Sequence, residues 1–195
     1  MLTAICDVMK ECYHRGWLTT RDGNCSHKDG LRNYMHITPS GSRKNVLRVS
    51  DLIKIKYDKK KELIILSNSN PSGELQMHNL LLRVASQTRV VLHVHPTHCV
   101  SAMYAGFKLN ELADQFPELY RYTQVGPNVA ALPVTSPELA IATASKIGLQ
   151  PDGTCKYDIV GQDRHGITTW AGDPWAAFEH IERLNHICEI VLASR

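Results

Sequence analysis

The sequence predicts an α+β fold, a mainly antiparallel sheet with helices packed on it. Three observations carry this expectation. The chain opens on one amphipathic helix, passes through short strand-like stretches, and then mixes helices with strands. Two turns, Asp29-Gly30 and Asp58-Lys59-Lys60-Lys61, separate pairs of those stretches and predict hairpins, which join antiparallel neighbours. Two later segments, Ser136-Pro137-Glu138 and Asp173-Pro174, carry a capping residue followed by proline, the pattern of a helix start.

Taken in order, Ile5, Val8, Met9 and Cys12 have helical spacing and Gly16 is a natural stop, so residues 3–15 form a helix. The run Thr19–Asn24 favours a loop. Strands follow at 25–28 and 33–38, and again at 52–57 and 62–66, with a break at Thr38-Pro39-Ser40-Gly41. Residues 68–73 are loop, and 74–86 form a helix with Leu75 and Leu82 turned inward. Arg89–His95 is the best strand, ended by Pro96. Helices are expected near 97–105 and 109–116, a strand at 129–134, a helix from Ser136, strands at 158–162 and 166–170, and a last helix from Asp173 to about residue 192.

The bulk properties bound the function. A chain of 195 residues with 43% hydrophobic and 21% charged residues is expected to form one domain, 1–195. A net charge of +3, evenly spread, argues against nucleic acid and mildly favours an anionic substrate. The longest apolar runs are far short of a membrane span, and Asp7 and Glu11 interrupt the opening residues, unlike a signal peptide. A cytoplasmic protein with no membrane partner is expected. The six cysteines include no C-x-x-C pair and are expected as reduced thiols, with Cys6, Cys12 and Cys188 on buried helix faces.

The chemistry-bearing residues begin with His93-Val94-His95. Side chains alternate along a strand, so the two imidazoles share a face and reach one cation at about 2.0–2.1 Å. His165, in Asp163-Arg164-His165-Gly166, is the candidate third ligand, and three ligands with an open position suit catalytic zinc. Of the other histidines, His14, His27, His36, His180 and His186 are expected on solvated faces or beside polar groups, and His98 as a helix residue supporting the site. Glu74 opens a helix behind Pro71-Ser72-Gly73; it is either a first-turn acid favoured by the helix dipole or a proton shuttle beside the metal, with His78 on its face. Gly23-Asn24, Ser40-Gly41 and Ser72-Gly73 are loops able to offer backbone N–H groups to an anion. As a set, Asn24, Ser40, Gly41, Ser72 and Gly73 are expected to hold a phosphate.

In this order the motifs resemble the class II aldolase/adducin family. Gly23-Asn24-Cys25-Ser26, Ile37-Thr38-Pro39-Ser40-Gly41, Ser72-Gly73-Glu74 with His78, His93-Val94-His95 with His98-Cys99, and His165-Gly166 are each similar to a family motif. The resemblance implies a three-layer α/β/α domain and a homotetramer with active sites at subunit interfaces. It implies Zn2+ on His93, His95 and His165, with Glu74 a ligand that becomes a base once substrate displaces it. It also implies an aldolase that cleaves a ketose 1-phosphate of the fuculose type to dihydroxyacetone phosphate and an aldehyde. Tyr122, or Tyr120 if the register differs by two, resembles a tyrosine that reaches a neighbouring subunit's site. Two departures stand out: Gly73 replaces a common second serine, and Arg21 a common threonine, where it offers a charged phosphate contact. The alternatives are a methylthioribulose-1-phosphate dehydratase, to which Arg164–Trp170 with Gly172 is similar, a pentulose-phosphate 4-epimerase, and a non-catalytic adducin-like interaction module. The short stretch after the last helix counts against the epimerase.

Overall fold

A computed structural model of the protein describes residues 1–30, 33–57 and 62–194. Helix α1 (Leu2–His14) buries Ile5, Cys6, Val8, Met9 and Cys12. It stops where glycine permits: Gly16 has φ 68°, its N–H donates to Tyr13 O at 3.0 Å, and Trp17 N–H donates to Cys12 O at 2.9 Å. Those two bonds satisfy carbonyls that the end of a helix leaves free.

Seven strands follow among the described residues: β1 (Asn24–Asp29), β2 (Tyr34–Ile37), β3 (Ile53–Tyr57), β4 (Leu63–Ile65), β5 (Val90–Val94), β6 (Ile159–Gln162) and β7 (Gly166–Ala171). They form one sheet in the order β4-β3-β2-β1-β5-β7-β6, and every neighbouring pair is antiparallel. Both expected hairpins are present, β1–β2 and β3–β4. The turn expected at Asp58–Lys61 lies outside the described residues.

Helices α2 (Leu75–Val84), α3 (Thr97–Tyr104), α4 (Leu109–Ala113), α5 (Pro137–Ser145) and α6 (Pro174–Ala193) complete the fold. Both expected caps form. Ser136 Oγ accepts from Leu139 N–H, and Asp173 Oδ1 accepts from Trp175 and Ala176 N–H. The helices divide between the two faces of the sheet, giving the three-layer α/β/α arrangement. One core contains α1, α3, α4 and α6 against Cys25, Val90, Leu92, Val94, Ile159 and Ile167. The other contains α2 and α5 against Met35, Ile37, Ile53, Ile55, Val91, Val160 and Trp170. Alternation along β5 therefore sends Val90, Leu92 and Val94 to the first core, and Val91 to the second. His93 shares the face of Val91 and points toward α2.

The strand expected at 129–134 is absent. Val125 and Val129 make isolated parallel bridges to Ile159 and Gln162, and residues 130–135 run exposed. Proline has no N–H to give to a ladder, and Pro127 and Pro133 bracket this segment. No helix among the described residues is long and apolar enough to cross a membrane.

Candidate active site

The sheet register builds the site. Asn24 on β1, His93 on β5 and Thr168 on β7 are direct cross-strand partners, so their side chains stand in a row on one face. His95 lies just beyond β5, with its N–H bonded to Trp17 O at 2.8 Å. Arg164 before the third histidine has φ 61°, the tight turn that returns the chain from β6 into β7. It sets His165 against the strand pair. His93, His95 and His165 present their ring nitrogens within 4.8 Å of one another. The ring centroids lie 4.7 Å (93–165), 5.0 Å (93–95) and 5.2 Å (95–165) apart.

These imidazoles suit a cation. His93 Nε2 and His95 Nε2 are 3.1 Å apart, against about 3.3 Å for two ligands of a tetrahedral site with bonds of about 2.0–2.1 Å. Burial is the main cause that lowers the proton affinity of all three. His165 falls to about 4, with His95 adding to the effect, and His93 is lowered well below its ordinary value, with both other imidazoles adding. Neutral imidazole is the form that binds metal. His93 Nδ1–H donates to Thr168 Oγ at 3.0 Å, which leaves Nε2 free as the ligand atom.

Glu74 lies opposite. Its Oε2 is 3.5 Å from His93 Nε2, and its Oε1 is 4.0 Å from His165 Nε2. Oε1 is buried with no hydrogen-bond partner among the described residues, as expected of an oxygen reserved for a metal or a proton. Burial raises the carboxyl pKa, and the Asn24 amide opposes that by donating to Oε2 at 2.8 Å. Glu74 occupies the N-cap position of α2 but does not cap it; Ser72 Oγ accepts from Glu74 N–H instead, at 3.3 Å. The carboxylate is thereby left for the site.

One cavity of about 390 Å³ unites the metal candidates with the expected phosphate loops. Asn24, Ser40, Gly41, Ser72 and Gly73 line it together with Glu74, His93, His95 and His165. Arg21 lines it too and donates to Gly41 O at 2.7 Å. Four lining residues were not singled out in the sequence: Asp22, Lys44, Val134 and Thr135. The last two come from the exposed segment 130–135, and of them Val134 ends the stretch expected to be a strand.

Tyr122 is not in this cavity. It is 50% exposed, follows a short turn at 119–121, and lies beside Arg121 and Arg183, whose guanidinium groups sit 5.5 and 5.3 Å from its ring. Tyr120 bonds Asp114, at the C-terminal end of α4, instead. His98 does not support the site either. It accepts from Asn185 of α6 at 3.3 Å, in the layer opposite Glu74, because α3 presents it to that helix. All six cysteines are free thiols; Cys6, Cys12, Cys25, Cys99 and Cys188 are buried.

Comparison with known proteins places this arrangement. Methylthioribulose-1-phosphate dehydratase of Sorangium cellulosum is 27% identical over 198 residues, spanning 95% of this chain and 88% of the relative. L-fuculose phosphate aldolase of Methanococcus vannielii is 28% identical over 189 residues, spanning 94% and 92%. The crystal structure of L-fuculose-1-phosphate aldolase from Thermus thermophilus shares the fold, with a TM-score of 0.78 at 20% identity over 99% of this chain and 93% of that one. Residues 3–192 match the family described as Class II Aldolase and Adducin N-terminal domain, and the chain therefore belongs to the class II aldolase/adducin family.

Proposed function

We propose that this chain is a zinc-dependent lyase of a ketose 1-phosphate, acting as a homotetramer. The observation that carries the proposal is the single cavity in which three neutral imidazoles and Glu74 face loops suited to a phosphate. His93, His95 and His165 would hold the cation, with Glu74 as a further ligand before substrate arrives. The metal would supply Lewis-acid stabilisation for an enediolate. Asn24, Ser40, Gly41, Ser72 and Gly73 would hold the phosphate and so place the sugar's carbonyl end over the histidines.

Two reactions run through an enediolate at C2–C3, that of the whole sugar in one and of its three-carbon fragment in the other. In elimination, Glu74 takes the proton from C3 and returns it to the C4 hydroxyl, which leaves as water, and the enol so formed tautomerises to a diketone phosphate. In aldol cleavage, the C4 hydroxyl loses its proton, the C3–C4 bond breaks, and Glu74 protonates C3 to give dihydroxyacetone phosphate. Cleavage calls for a second proton carrier, assigned to Tyr122 of a neighbouring subunit. The resemblance put cleavage first. Relatives named as methylthioribulose-1-phosphate dehydratases move the weight to elimination. Cleavage stays as the second reading, supported by the Methanococcus vannielii relative.

Zinc-loaded protein incubated with a panel of ketose 1-phosphates and followed by 31P and 1H NMR separates them. A diketone phosphate from methylthioribulose 1-phosphate is the expected product. Dihydroxyacetone phosphate plus an aldehyde would establish cleavage instead. No bound divalent ion and no turnover would favour an adducin-like interaction module.

A further inference from the structure

Lys44 has a role that burial alone does not explain. It begins the 3-10 turn Lys44–Val46. Only 1% of its surface is exposed, yet it lines the cavity beside Ser40 and Gly41. Its Nζ donates to Arg21 O at 3.2 Å and to Ser42 O at 2.9 Å, and its backbone N–H donates to Thr20 O at 2.8 Å. The side chain thus ties the 19–23 loop to the 40–43 loop. An ammonium has three N–H donors, and two are used here. A buried charge is stable when it is paired, and no carboxylate forms a salt bridge with Lys44 among the described residues. Burial is the main cause that lowers its pKa, to about 8; Asp22 opposes this and Arg21 adds to it. Glu74 and the three histidines line the same cavity.

We propose that Lys44 is a charged contact of the phosphate subsite, its third N–H reserved for an oxygen of the substrate's phosphate. The inference rests on the cavity being a phosphate site. It adds a buried cation to a cradle of amides and hydroxyls that has the exposed Arg21 at its edge. Charge-assisted bonds are roughly twice as strong as neutral ones, so Lys44 selects phosphorylated sugars over neutral ones. An ammonium whose sole task is to staple two loops would be indifferent to phosphate.

The test is isothermal titration of inorganic phosphate into the zinc-loaded protein at pH 7, repeated with Lys44→Met and Lys44→Arg. We expect Lys44→Met to weaken phosphate about tenfold or more, and Lys44→Arg to retain most of the affinity. In wild-type protein labelled at lysine Cε, the 13C signal that titrates near pH 8 should move to higher pH when phosphate is added. This second measurement does not depend on a variant folding. Phosphate binding by wild type that Lys44→Met leaves unchanged, or a titration unmoved by phosphate, overturns the role of Lys44 and leaves the cavity reading standing. No phosphate binding by wild type at millimolar concentration overturns the cavity reading, and the proposal with it.

Discussion

At the scale of single residues, the orientation of Glu74 follows from a chain of hydrogen bonds whose polarity is determined at one end. The Asn24 amide donates to Glu74 Oε2, so the Asn24 carbonyl oxygen is left to accept from His78 Nε2–H. His78 Nδ1 must then be the acceptor, and Ser26 Oγ–H donates to it at 2.6 Å. Burial keeps this imidazole neutral, with a pKa lowered to about 3. Replacing His78 with Phe leaves the Ser26 hydroxyl and the Asn24 carbonyl oxygen unpaired, at about 1–3 kcal/mol each. We expect kcat to fall roughly 10–100-fold with metal content unchanged, read by steady-state kinetics and elemental analysis. Wild-type kcat in a folded His78→Phe protein would show that Glu74 needs no such support. Thr135 is a second case. It is β-branched yet has φ 60°, and its Cγ2 lies 3.0 Å from where a Cβ on Gly73 would sit. The missing serine at 73 and the strained threonine at 135 therefore occupy one space. Left-handed backbone costs a non-glycine residue about 1–3 kcal/mol, against about 0.5–1 kcal/mol for the extra chain entropy of glycine. Thr135→Gly should raise the thermal midpoint, and Gly73→Ser should be better tolerated in that background. A calorimetric double-mutant cycle reads both, and additive effects would separate the two positions.

At the scale of elements, the site depends on three adjacent strands keeping register. The Asn24–His93–Thr168 row crosses β1, β5 and β7, and slipping one strand by a residue would turn its member to the opposite layer. Gly166 keeps β7 close: a Cβ there would lie 2.5 Å from His95 Cδ2, 2.7 Å from Val94 O and 3.0 Å from His93 Cε1. Space, not conformation, demands glycine. Gly166→Ala should therefore push both imidazoles apart and abolish stoichiometric metal binding, while Thr168→Val, of similar volume, should weaken metal about 10–100-fold by removing the acceptor on His93 Nδ1. Competition with a chromogenic chelator measures both, and full zinc affinity in Gly166→Ala would refute the packing argument. The same strands explain what sequence can convey. His93-Val94-His95 was legible because strand alternation is local, and Ser136 and Asp173 because capping is local. Thr168, Lys44 and Thr135 were not, since their roles depend on pairings between residues as distant as 93 and 168. The segment 129–134 misled because apolar β-formers predict a strand, while Pro127 and Pro133 deny it a ladder.

At the scale of the whole molecule, burying so many histidines links stability to pH and to metal. Seven of them, His27, His36, His78, His93, His95, His165 and His180, have lowered pKa values, each chiefly from burial. A group with a lowered pKa binds protons in the unfolded chain before it does in the folded one. Stability is therefore intact above the unfolded value of about 6.5 and lost as pH falls toward the folded values, about 4 for His165 and about 3 for His78. Each imidazole contributes at most about 1.4 kcal/mol per pH unit in that window. Glu74 has the opposite sign: its raised pKa favours the folded state as it protonates. It is one carboxyl against seven imidazoles, so the net slope follows the histidines. Metal adds a second dependence, because a ligand of the folded state stabilises it by RT ln(1 + [M]/Kd), and protons compete for the three imidazoles. Thermal midpoints taken from pH 8 to 4, with zinc and with EDTA, resolve the two. In EDTA the midpoint should slip only slightly between pH 8 and 7, where Lys44 titrates, and then fall steadily below about 6.5. Zinc should raise it most at pH 7–8, and the gap between the curves should close as the imidazoles protonate. An EDTA curve that stays level to pH 5 would mean that burial does not hold these histidines neutral below about pH 6.5, and the assignment of three imidazoles as metal ligands would lose its electrostatic basis.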